Sequence, residues 1–198
     1  SIQANDSVLL ESSAGDISNS SSITASNGSV EINGNGDINN TGTNISAGNN
    51  VGITVTTGTL RNSSAITAAN NVSIKSTAGA VENSSAVSTS GSVEISGSNV
   101  SNSGTVTTTG GSVTISGNGS VNNSANITAT GGSVEISGNG GIENTANIEA
   151  SKDVSMTASA GSINNSSDST VAASGGSVSM SGGGNVTGGT VTAGNGSV

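Results

Sequence analysis

The chain contains no Phe, Trp, Tyr, Cys, Pro or His, and only 8% of its residues are charged. Without His or Cys, the usual nucleophile–base pairs and the usual zinc sites are excluded. Without cysteine no disulfide framework forms; the redox compartment stays open, and export is compatible with it. Without aromatics, a core must be assembled from Val, Ile and Ala, which suits a narrow interior. Only Arg61, Lys75 and Lys152 are positive, against a net charge of −9. A nucleic-acid backbone or an anionic membrane surface therefore finds no basic patch. No apolar run approaches the ~20 residues of a membrane-spanning helix, and no basic-then-apolar signal segment occurs in these residues. We expect no nucleic-acid partner and no membrane insertion.

What is present is Gly, Ser, Asn, Thr and small aliphatics, a composition that by itself suggests a flexible linker. Its order says otherwise. Residues 112–131, SVTISGNGSVNNSANITATG, hold three short alternating runs separated by Gly/Asn/Ser pieces. Alternation at a period of two describes a strand with one face buried. Gly and Asn tolerate positive φ, which predicts sharp bends between the runs.

The unit repeats. Val8, Val30, Val51, Val72, Val93, Val113, Val134, Val154, Val178 and Val198 recur at intervals of 20 to 24 residues, and all but the last are followed two positions on by Leu, Ile or Met. A second run contributes Ile17, Ile38, Leu60, Val81 and their successors; a third contributes Ile23, Ile45, Ile66, Val87 and theirs. A linker has no reason to keep β-branched residues in fixed columns. One unit of about 21 residues buries too little apolar surface to offset its own ordering entropy, so it cannot fold alone. Stacked units can, because each strand then pairs in parallel with its copy above and below. The fold expected is all-β, a right-handed parallel β-helix (β-solenoid) of about nine coils with three short strands each. Residues 1–198 form a single repeat shaft. The lack of Pro agrees, since nearly every N–H is needed by a ladder.

One polar column stands inside. Asn19, Asn40, Asn62, Asn83, Asn102, Asn123, Asn144 and Asn165 each lie two residues after the second-run aliphatic, a parity that points them inward. A lone buried amide is costly, whereas stacked amides donate to and accept from one another. We expect an Asn ladder that fixes the corner and the register. The segment 166–170, SSDST, inserts at one corner and is expected to bulge outward. In the last coil, 181–198, Gly188 replaces the expected Asn, and this coil should be the loosest. Neither end carries a polar cap, which predicts a piece of a longer shaft or a subunit stacked end to end.

No catalytic, cofactor-binding or metal-binding residue is expected. Glu94 and Glu135 share an outward column two coils apart, roughly 10 Å, but Thr114 lies between them on a convex face. Arg61 and Lys75 fall on different strands with no Asp cluster, so the acidic-polysaccharide cleavage known for some β-helices is not expected. Gly34-Asn35-Gly36-Asp37 approaches a calcium-binding glycine repeat, but its Asp does not recur. The outward column Thr24, Ser46, Thr67, Ser88, Thr107 and Thr128 invites comparison with ice-binding solenoids, although its flanks (Ser22, Asn44, Ala65, Asn147) are irregular. N-x-S/T sequons are frequent, as at Asn44, Asn71, Asn99, Asn118, Asn126 and Asn185, which an Asn/Ser/Thr-rich chain produces by chance.

The motifs SVEISGNG (133–140), GSVNNSANITATGG (119–132) and KDVSMTASAGSINNSS (152–167) resemble the haemagglutinin-type repeats of the filamentous haemagglutinin family. These are two-partner-secretion exoproteins and adhesins of Gram-negative bacteria. The resemblance covers essentially the whole chain through the pattern N-S-x-x-I-x-A-x-G-x-V-x-I. It implies a right-handed β-helical shaft, export through an outer-membrane pore and display at the cell surface. It supplies no binding residue. The expected role is a structural shaft segment that mediates attachment to a receptor or glycan on a host or neighbouring cell. The alternatives are a homopolymeric filament subunit with end-to-end contacts, or an ice-binding or polysaccharide-binding solenoid.

Overall fold

The computed structural model describes residues 1–198 and contains only strands, all short and all paired in parallel. Three sheets run the length of the molecule. The first stacks nine five-residue strands from Val8–Ser12 to Val178–Gly182. The second stacks nine strands from Ile17–Asn19 to Val186–Thr187, and the third ten, from Ile2–Ala4 to Thr190–Ala193. Each strand pairs with its copy one coil away, so the parallel β-solenoid expected from the repeat is the fold.

Register follows the aliphatic columns without a slip. In the first sheet Val93 pairs with Val113 and Ile95 with Ile115, which in turn meet Val134 and Ile136. The inward residues form one continuous core of 39 buried side chains from Val8 to Val178. Alternation places one face of every strand in that core, and a shift of one residue would expose all of it. Two coils put Thr where the third sheet otherwise buries Ala. The hydroxyls of Thr89 and Thr108 donate to the carbonyls of Asn70 and Gly91, so the substitution leaves no buried group unpaired.

The bends are not made as expected. No residue has positive φ, glycine included. Glycine serves instead where the neighbouring coil comes closest: a Cβ at Gly79 would fall on the carbonyl oxygen of Gly58, and one at Gly161 on that of Gly140. Strands in a ladder lie only ~4.8 Å apart, and a stacked corner leaves no room for a side chain aimed along the axis.

At the insertion, Ser167 and Asp168 are exposed in a turn, while Ser169 is 1% exposed and its hydroxyl donates to the carbonyl of Ser166 at 2.7 Å. In the last coil Val186 is 44% exposed, and Met180 and Val191 are only partly buried.

Ile115 is fully buried in a middle coil. Ile115→Ala should lower unfolding free energy by about 2–4 kcal/mol, whereas Thr114→Ala on the outward side should cost only about 0.5 kcal/mol. Urea denaturation of the two variants measures the difference.

Candidate functional site: a polar interior and three outer faces

All eight predicted asparagines close the second-sheet strands and point inward, none more than 8% exposed. They form one unbroken chain of seven side-chain hydrogen bonds. Each Nδ2 donates to the Oδ1 of the next coil: Asn19 to Asn40 at 2.7 Å, Asn40 to Asn62 at 2.6 Å, Asn62 to Asn83 at 2.8 Å and Asn83 to Asn102 at 2.8 Å. Asn102 continues to Asn123 at 2.8 Å, Asn123 to Asn144 at 2.7 Å and Asn144 to Asn165 at 2.6 Å.

The second hydrogen of the amide stays within its own coil. Asn19, Asn62, Asn83, Asn123 and Asn144 each donate to the carbonyl two residues on, as Asn62 does to Ser64 at 2.9 Å. The main chain stacks as well. The N–H after each ladder asparagine donates to the carbonyl of the asparagine in the coil before, for example Ser63 to Asn40 and Ser84 to Asn62, both at 2.8 Å. An amide suits the position because it alone carries two donors and an acceptor on a short stem. Serine would not reach, and aspartate could not donate.

The ladder ends at Asn165. Its Oδ1 accepts from Asn144 and lies 2.8 Å from Ser169 Oγ, whose single proton it shares with the Ser166 carbonyl, but its Nδ2 is buried without a partner. Thr187 pairs with Asn164, so Gly188 is the residue above Asn165, and it has no side chain to accept the bond.

A second polar column was not found by sequence reasoning. The residue before every first-sheet Val is Ser, Asn or Asp: Ser7, Ser29, Asn50, Asn71, Ser92, Ser112, Ser133, Asp153, Ser177 and Ser197. In each coil the side-chain oxygen accepts the N–H of its counterpart in the following coil. The bonds run from Ser29 N–H to Ser7 Oγ at 3.1 Å through Ser92 N–H to Asn71 Oδ1 at 2.8 Å to Ser197 N–H on Ser177 Oγ at 3.2 Å. At this corner the side chains satisfy N–H groups in every coil, whereas at the corners before the second and third sheets they do so only in some coils, as for Ser120 N–H on Asn99 Oδ1 and Asn147 N–H on Asn126 Oδ1. The sequence signal exists, an invariable side-chain acceptor before Val, but it is hard to notice in a Ser- and Asn-rich chain.

The outer faces hold what charge there is. Arg61 sits between Asp37 at 3.7 Å and Glu82 at 3.2 Å, all about half exposed, so the pairs add little stability. Glu94 and Glu135 share the column with Thr114 between them, as their spacing predicts. No three Asp or Glu side chains come together to hold a metal ion. On the third sheet the hydroxyl column runs unbroken from Thr24 to Thr128, then gives way to Glu149 and Ala172. No protein-family profile, curated protein or solved structure matches the chain.

Asn102→Ala should leave one hydrogen of Asn83 Nδ2 and the Oδ1 of Asn123 without a partner and destabilise the fold by about 2–4 kcal/mol. Gly188→Asn should act in the opposite sense, by about 1 kcal/mol, by giving Asn165 an acceptor. A Cβ at Gly188 meets only Val191 Cγ2, at 3.6 Å, so the side chain has room. Thermal unfolding of both variants reads the two effects.

Proposed function

We propose that the chain is a rigid spacer: a shaft segment of a secreted bacterial surface adhesin, holding a distal binding element away from the cell. The observation that carries this reading is the unbroken register of three sheets over one continuous core. Such a rod gains length by adding coils and needs no larger interior to do so. Bending or stretching it would have to break many in-register backbone bonds at once. The interior asparagine ladder and the outer acceptor column serve the same end, tying coil to coil on two different corners. The haemagglutinin-type repeat motifs support placement at the surface of a Gram-negative bacterium. The outer faces bring together no set of reactive groups, which favours a mechanical role over a catalytic one.

Nine coils at ~4.8 Å predict a rod of roughly 43 Å. Duplicating the coil 112–132 should add one step of ~4.8 Å without loss of cooperativity. Small-angle scattering and electron microscopy measure both. A flexible or collapsed particle would overturn the spacer reading. Fibres growing from the isolated chain would replace it with a self-assembling subunit.

A further inference from the structure

We infer that one outer corner of the rod is a binding groove for a neutral, extended polysaccharide lying parallel to the long axis. The corner is where the first sheet turns towards the second. The fourth strand position faces outward there, the fifth faces the core, and the residue after the strand faces outward again. The two outward columns splay, and a trough forms between them.

Three concavities of about 310, 350 and 440 Å³ occupy this trough, at the early, middle and late coils respectively. They lie in line because their floor is a single register column, in which Lys75 pairs with Ser96, Ser96 with Ser116 and Ser116 with Ser137. The second and third concavities share Ser116 and Asn118, so these two form one trough.

The lining identifies the occupant. None of the residues around these three concavities is hydrophobic. The floor residues Ser96, Ser116 and Ser137 are half-buried, and the wall residues Asn118 and Asn139 are exposed. Ser96 Oγ is buried beneath the trough without a hydrogen-bond partner. Hydroxyls and carboxamides each donate and accept, which matches the vicinal hydroxyls of a sugar. Glu11 lines the early concavity and Lys75 and Glu94 the middle one, while the late concavity carries no charge; the excess of carboxylates there and the chain's net charge of −9 repel polyuronates and sulfated glycans. A peptide is disfavoured because no apolar pocket opens along this trough to take its side chains.

With no aromatic residue to stack on a sugar ring, each contact is weak. Affinity must therefore come from repetition along the groove. This surface does not depend on the spacer role, and either can stand without the other.

The test uses the whole chain with cello- and malto-oligosaccharides of increasing length, and a polyuronate for comparison. Affinity electrophoresis and amide chemical-shift mapping are the readouts. Binding of a neutral series should tighten by roughly 10-fold or more from the shortest to the longest member. The shifts should be confined to the corner around Ser96, Ser116 and Ser137. Ser116→Glu combined with Ser137→Glu should abolish the retardation while thermal unfolding stays unchanged. Thr67→Glu on the third sheet should leave binding intact. No retention by either neutral series, equal binding of short and long oligomers, shifts on the third sheet, or tighter binding of the polyuronate would each overturn the proposal.

Discussion

Everything in this molecule depends on like lying over like at the spacing of a parallel ladder. A single coil buries too little to fold, so its strands acquire partners and its aliphatics acquire neighbours only from the coils on either side. The selection at each position is then set by what is directly above and below. Val and Ile tile the core because their branched side chains pack on their own copies. Glycine stands at Gly79 and Gly161 because the preceding coil's backbone occupies the space that a Cβ would need.

The two polar columns apply the same rule to hydrogen bonds, and they run in opposite senses. The asparagine side chains donate towards later coils, whereas the corner N–H groups donate back to earlier ones. A column of this kind has a property that an apolar core lacks: each member is satisfied only by the next. The orphaned Nδ2 of Asn165, beneath Gly188, shows what one missing member costs. The same dependence makes the column a register device, since a strand that slips relative to its neighbour loses the amide bond as well as the apolar contact.

With the interior committed to stacking, the outward positions are released from it. They vary from coil to coil: Arg61, Glu82, Ser101 and Asn122 succeed one another on a single face of the second sheet. A spacer tolerates that variation. The trough beside Ser116 and Ser137 differs because its residues stay hydroxyl- or amide-bearing over successive coils, and because the bend in the backbone gives it depth.

The columns of Val, Ile and inward Asn were legible in the linear sequence, because a period of two and an interval near 21 are one-dimensional signals. From them followed the parallel solenoid, the three sheets and the Asn19–Asn165 ladder. The role of glycine, the bonding of the acceptor column from Ser7 to Ser177 and the trough were not legible. Each depends on a distance between atoms about 20 residues apart in the chain, along an axis that exists only once the coils are stacked. The sequence by itself determined which residues share a column. Only the tertiary structure decided how close neighbouring coils come, and so which side chains bond, which must be absent and where a groove opens.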